Sequence, residues 1–119
     1  MILIVDDEQI ICNVLARFLK KEGYETEIAK LGRDAVTKFK EKGPSLVFLD
    51  IMLPDIDGIE DLRQIKEINK AIPVMMITGS ADSECVASAF RLGACDCIFK
   101  PFDFNYLITT MKSLIGNRR

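Results

Sequence analysis

The sequence predicts an α/β fold of five parallel strands alternating with five helices, and three observations carry the prediction. Short apolar runs bounded by turn residues recur along the chain, as strands buried on both faces require. Between them lie longer segments with apolar residues at helical spacing. The runs also end in residues that carry chemistry: Val5 leads into Asp6-Asp7, Leu49 into Asp50, Ile77 into Thr78 and Phe99 into Lys100. Right-handed crossovers place the C-terminal ends of all such strands on one edge, where the outgoing loops part and form a crevice.

The first strand is Ile2-Leu3-Ile4-Val5. Ile10, Ile11, Val14, Leu15, Phe18 and Leu19 then recur as the apolar face of a helix, with Arg17, Lys20, Lys21 and Glu22 mostly opposite, until Gly23 stops it. Tyr24 to Ala29 alternates well enough for a second strand. A shorter helix from about Arg33 to Lys42 turns Ala35, Val36 and Phe39 inward and ends at Gly43-Pro44. Leu46 to Leu49 is too short for a helix and lies between that breaker and the Pro54 to Gly58 turn, so it is the third strand, with Asp50 at its C-terminal end. Asp57 is placed to cap the third helix, with Glu60 three residues on as in a capping box and Ile59, Leu62, Ile65, the Lys66 stem and Ile68 on one side. Pro73 to Ile77 is the fourth strand and ends in Thr78-Gly79-Ser80; the helix after it carries Val86, Ala89 and Phe90 and stops at Gly93. Cys95 to Phe99 is the fifth strand, closed by Lys100-Pro101. Asp103 caps a last helix whose apolar face is Leu107, Ile108, Met111, Leu114 and Ile115.

At 119 residues the chain fits one domain, residues 1–119, and 49% hydrophobic residues supply a core for it. A net charge of -2 makes no electrostatic case for holding nucleic acid. No apolar run approaches the ~20 residues that cross a bilayer, and Met1-Ile2-Leu3 lacks the basic start of a signal peptide, so the expected location is cytoplasmic. Cys12, Cys85, Cys95 and Cys97 sit in apolar patterns without a CxxC pair, which reads as reduced structural thiols. Histidine is absent, which removes His-dependent nucleophile systems and leaves oxygen ligands, hence magnesium or calcium rather than zinc.

The predicted edge collects Asp6, Asp7, Asp50, Thr78 and Lys100. If the first and third strands are neighbours, their carboxylates crowd and raise one another's pKa unless a cation neutralises them. Magnesium bound by one or two carboxylates keeps open positions for a phosphoryl oxygen. Asp50 can then act as a nucleophile toward phosphorus, with the Lys100 ammonium and Thr78 hydroxyl offsetting charge on the phosphoryl oxygens. Singly, each residue has a plainer role: Asp6-Asp7 as helix caps, Asp50 and Thr78 as turn residues, Lys100 as a solvated charge. Their joint occurrence at the ends of the first, third, fourth and fifth strands is what favours chemistry.

Ile-Val-Asp6-Asp7-Glu8, Leu49-Asp50-Ile-Met-Leu-Pro54-Asp-Ile-Asp57-Gly58, Ile77-Thr78-Gly79, Ala89-Phe-Arg-Leu-Gly93-Ala94-Cys-Asp96 and Phe99-Lys100-Pro101-Phe102 together resemble the receiver domain of bacterial two-component response regulators. The resemblance spans essentially the whole chain. It implies a flavodoxin-like, doubly wound (βα)5 sandwich with strand order 2-1-3-4-5. It implies that Asp50 accepts a phosphoryl group from a phosphohistidine on a sensor histidine kinase or histidine phosphotransfer protein. Magnesium is then held by Asp7, Asp50 and the Met52 backbone carbonyl, with Asp6 helping through water. Thr78 follows the phosphoryl group inward, Lys100 pairs with it, and the Lys100-Pro101 bond is cis. Met52 and Ser80 flank the route of an attacking water. Such a domain is regulatory, catalysing only its own phosphorylation and slow dephosphorylation. The output is a shift of the face formed by the fourth helix, fifth strand and fifth helix, and the resemblance extends to a homodimer through that face.

In one place the chain departs from the family pattern: three residues before Lys100, where many receivers carry Tyr or Phe, stands Cys97. The switch then works through backbone and Thr78 shifts alone, or recruits Phe99 or Phe102. Three other readings are weaker. A haloacid-dehalogenase-type phosphatase needs a second acid where Met52 stands; a nucleotide-binding domain needs a glycine-rich phosphate loop that is missing; and an unphosphorylated interaction module does not require all five site residues. The sequence contains no recognisable effector, so any output domain lies outside it. Kinase pairing is expected to depend on surface residues of the first helix such as Asn13 and Arg17.

Overall fold

The computed structural model describes residues 1–79 and 83–115. Strands β1 (Ile2–Val5), β2 (Thr26–Ala29), β3 (Leu46–Asp50), β4 (Val74–Thr78) and β5 (Asp96–Phe99) alternate with helices α1 (Gln9–Lys21), α2 (Gly32–Lys42), α3 (Gly58–Ile68), α4 (Ser83–Arg91) and α5 (Phe104–Ile115). All strand pairs are parallel and the order is β2-β1-β3-β4-β5, the doubly wound topology expected.

The period of two along each strand divides the core. Leu3, Val5, Val47, Leu49, Val74 and Met76 face one side, where Ala35 and Phe39 of α2, Leu62 and Ile65 of α3 and Ala89 of α4 cover them. Ile2, Ile4, Leu46, Phe48, Met75 and Ile77 face the other, against Cys12, Leu15 and Leu19 of α1 and Leu107 and Met111 of α5. The three inner strands β1, β3 and β4 are buried along their whole length, which is why they read as unbroken apolar runs.

Several local expectations change. Ile10 and Val14 were placed on the inward face of α1 but are 75% and 45% exposed. At ~100° per residue they lie on the far side of the helix from Cys12, Leu15 and Leu19. β2 begins at Thr26 because the Tyr24 N–H turns back to the Leu19 carbonyl at the end of α1. The Asp57 cap on α3 is present, its Oδ1 accepting from the Ile59 N–H at 2.8 Å, but Glu60 does not complete a capping box. Its carboxylate bonds outward to Arg63 and Gln64. Ile68, Phe90 and Leu114 are also more exposed than the helical spacing suggests, and the α2–α3 side of the core takes Ile72 instead of Ile68. Asp103 caps α5 through the Tyr106 N–H at 3.2 Å. No helix among the described residues is long and apolar enough to cross a membrane.

Candidate phosphoacceptor site

Strand register assembles the site. Val5 pairs with Leu49, so Asp6, just past β1, and Asp50, the last residue of β3, arrive at the same level. Thr78 pairs with Phe99, which brings Lys100 alongside, and the Lys100 N–H donates to the Thr78 carbonyl at 2.8 Å. The Lys100-Pro101 peptide bond is cis. Asp6, Asp50 and Thr78 are buried, while Asp7 is exposed at the mouth.

Both oxygens of Asp50 are engaged. Oδ1 accepts from the Met52 N–H at 3.0 Å, and Oδ2 lies 3.1 Å from Lys100 Nζ. The same ammonium reaches Asp6 Oδ2 at 2.9 Å and Glu8 Oε1 at 2.6 Å. Asp6 is further fixed by the Glu8 N–H on its Oδ1 at 2.9 Å and by the buried Cys12 thiol, which donates to the Asp6 carbonyl at 3.2 Å. That thiol is pushed up to about 11 by burial and then by the charge of Asp6, so it acts as a neutral donor.

Burial pushes Asp50 up to about 6, the Asp6 charge adds to the rise, and the Met52 N–H and Lys100 oppose it. For Lys100, burial pulls downward, but its bonds to Asp6, Glu8 and Asp50 prevail and hold the ammonium above its ordinary value. Thr78 Oγ1 is buried without a hydrogen-bond partner. Such an orphaned hydroxyl costs ~1–3 kcal/mol, which a strong acceptor arriving beside it would return.

Asp6, Asp7 and Asp50 each bring one carboxylate oxygen to within 4.8 Å of the others. A set of hard oxygen donors, with one member exposed and two buried, fits a divalent cation of the magnesium type. The structure therefore brings Asp6, Asp7, Asp50, Thr78 and Lys100 to one edge, with the Met52 backbone two residues beyond Asp50. Met52 forms a bridge to Asp57 across its own loop, and its side chain is exposed. Ser80 lies outside the described residues. Cys97 is half-buried and packs against the core on the α2–α3 side; Phe99 is exposed, and Phe102 stacks edge-on with Phe104. Next to Cys97, Asp96 accepts from the Tyr106 hydroxyl, tying β5 to α5.

Residue-type reasoning missed Glu8 as a Lys100 partner, although a third acid following Asp6-Asp7 was a signal for it. It also missed the Met52 N–H and the Cys12 thiol as groups that hold the acids. Both depend on side-chain directions that spacing does not encode.

The sequence matches the family described as response regulator receiver domain over residues 2–112. It is 36% identical over 118 residues to the transcriptional regulatory protein ZraR of Salmonella typhimurium, covering 99% of this chain and 27% of that protein. It is 35% identical to the transcriptional regulatory protein TrcR of Mycobacterium tuberculosis, covering 96% of this chain and 44% of that one. The chain thus spans under half the length of these relatives. Among solved structures, the receiver domain of NtrX from Brucella abortus superposes with a TM-score of 0.90 at 38% identity, covering 99% of this chain and all of that one. A CheY-like receiver domain protein from Methanospirillum hungatei superposes at 0.91 with 33% identity, over 94% and 90% of the two chains. Family match, strand order and an acid cluster at the C-terminal edge of the sheet agree: this chain belongs to the response regulator receiver domains, the phosphorelay modules of two-component systems.

Proposed function

We propose that Asp50 is the phosphoacceptor of this domain and that its phosphorylation depends on magnesium. The observation that carries the reading is the convergence on Asp50 of Lys100 at 3.1 Å and the Asp6 and Asp7 carboxylates, at the same sheet edge where β4 ends in the partnerless Thr78 hydroxyl. A carboxylate oxygen of Asp50 attacks the phosphorus of a phosphohistidine; the new O–P bond forms as the P–N bond breaks, and its electron pair returns to the imidazole of the donor. Lys100 moves its ion pair from the carboxylates to the phosphoryl oxygens. The Thr78 hydroxyl donates a hydrogen bond to another of those oxygens and keeps its proton.

Asp6, Asp7, Asp50 and the Met52 carbonyl would hold the magnesium ion. When bound, it neutralises the clustered acids and supplies Lewis-acid stabilisation for the phosphoryl oxygens. The role of this chain's residues is to keep Asp50 desolvated and aligned, through the Met52 N–H, and to keep Lys100 in reach.

Receiver domains are phosphorylated by histidine kinases, and a kinase or phosphotransfer partner for this one fits the exposed Ile10, Asn13, Val14 and Arg17 on α1 beside Phe104. That mixed patch lies on the helix that follows Asp6 to Glu8 in the chain. Output runs through α4, β5 and α5, with Cys97 in place of a swinging ring, and phosphorylation biases two arrangements of that face. A homodimer through it, magnesium binding, a regulatory rather than turnover role, a cytoplasmic setting and an effector joined elsewhere in a longer protein all belong to the same proposal.

Intact mass after incubation with acetyl phosphate tests the reading. One base-labile phosphoryl adduct is expected, absent with EDTA and absent in Asp50→Asn. No adduct with either acetyl phosphate or a phosphorylated kinase overturns it.

A further inference from the structure

A second acidic site lies between α2, α3 and the loop that follows Asp50, and takes no part in the chemistry above. Asp61, in α3, is fully buried, and neither of its carboxylate oxygens has a hydrogen-bond partner. Its Oδ2 approaches to 2.6 Å from the point where a Cβ on Gly32 would stand, so Asp61 is packed against the first residue of α2 and only glycine leaves it room. Asp55, in the loop between β3 and α3, lies over the same residue, its Oδ1 3.4 Å from that point. Asp55 accepts the Gly32 N–H at 2.7 Å and the Arg33 N–H at 3.1 Å, so its carboxylate hydrogen-bonds the loop that follows Asp50 to the N-terminus of α2, where Ile56 also packs on Gly32.

The free N–H groups that favour an anion at this helix end are therefore committed to Asp55. The charges that act on Asp61 are Asp55 from the loop and Glu60 from its own helix, both negative. From α2, Arg33 directs its charge to Asp55, and Asp34 in the same turn adds another acid. Burial, then Asp55 and Glu60, push Asp61 up to about 7, whereas desolvation of Asp55 is outweighed by its two N–H bonds, which hold it low.

We propose that Asp61 is a proton-operated latch on the acceptor loop: protonated, it lets Asp55 stay seated on the N-terminus of α2, and ionised, it drives that contact open. The loop released is the one whose Met52 N–H holds Asp50, so proton concentration near neutrality reaches the acceptor from behind. The latch needs no phosphoryl group and no metal to operate, so its test on the unphosphorylated chain stands or falls separately from the role proposed for Asp50.

The test combines carboxyl-carbon NMR titration of Asp61 with amide hydrogen exchange, from pH 5.5 to 8.0, on the full chain and on Asp61→Asn and Asp61→Leu, with Asp50→Asn as a control. Asp61 is expected to titrate at least 2 pH units above the ordinary ~4 of an aspartate. Protection factors of Gly32 and Arg33 are expected to fall at least tenfold across the range, relative to amides of α5, in the unsubstituted protein and in Asp50→Asn. They are expected to stay level in both Asp61 variants. Titration of Asp61 near 4, pH-independent protection at Gly32 and Arg33, or the same fall in the Asp61 variants overturns the proposal. Should both Asp61 variants fail to fold, the titration and exchange of the unsubstituted chain decide it alone.

Discussion

Lys100 Nζ lies 3.1 Å from Asp50 Oδ2, and this ammonium is also the cation that faces the buried Asp6, at 2.9 Å. One charge from β5's end serves the acids of β1 and β3, so the resting site is an ion cluster with more acid than base.

Removing the cation exposes the imbalance. Lys100→Ala leaves two nearly solvent-free carboxylates facing each other, and a loss of about 2 kcal/mol is expected at pH 7.5, below the 3–5 typical of a fully buried broken pair because the Lys100 side chain is 10% exposed. Phosphorylation by acetyl phosphate persists, but the α4, β5 and α5 resonances no longer respond to it. Urea denaturation and NMR of the phosphorylated variant measure the two effects.

Removing an anion does the opposite. The folded pKa of Asp50, about 6, stands above its unfolded value of 3.8, so the native state binds the proton more tightly. The contribution of Asp50 to stability is therefore greatest below about 4, falls as pH rises toward 6, and stays reduced above it. Asp50→Asn removes that penalty and is expected to gain on the order of 2 kcal/mol in EDTA at pH 7.5 by urea denaturation, with a flatter pH profile.

Adding a cation relieves the same strain. Magnesium at ten times its dissociation constant is expected to stabilise the unsubstituted protein by about 1.4 kcal/mol, through preferential binding to the folded state. Asp50→Asn, lacking one of the three clustered carboxylates, is expected to gain well under half of that at equal concentration. Thermal melts across a magnesium series check both values.

Thr78 has a hydroxyl with no partner in the resting state. Thr78→Val keeps the shape and removes the orphan, so stability is expected to hold or rise by up to ~1 kcal/mol, while the phosphorylation-induced shift of α4, β5 and α5 is lost. Urea denaturation before phosphorylation and chemical-shift mapping after it separate the two outcomes.

Gly58 begins α3 where the chain folds back on the end of β3. A Cβ there would stand 2.1 Å from the Asp50 carbonyl oxygen and 2.7 Å from the Ile51 Cα, both backbone atoms that cannot turn aside. Gly58→Ala is expected to cost more than ~3 kcal/mol or to prevent folding, and circular dichroism with urea denaturation reads which.

The inner strands were legible because burial on both faces leaves an unbroken apolar run, and the acids that end β1 and β3 stand out against it. Asp6, Asp7, Asp50, Thr78 and Lys100 could be collected in advance because parallel topology sends every strand C-terminus to one edge. The face of α1 was misread at Ile10 and Val14, since a helix with apolar residues most of the way round does not say which arc meets the sheet. Glu60 was read as half of a capping box because spacing alone cannot weigh that bond against one to Arg63 three residues on.

What the sequence determined by itself is thus the order of elements, the edge on which the chemistry gathers and the residue types available there, all properties of local pattern and chain handedness. Tertiary structure alone decided which oxygen meets which proton: that Lys100 is shared by Asp6, Glu8 and Asp50, that Thr78 is left without a partner, and that Asp61 is buried against Gly32. Those facts depend on strand register and on the angle at which helices sit on the sheet. A shift of one residue or a few ångströms changes them completely while leaving every pattern in the sequence intact.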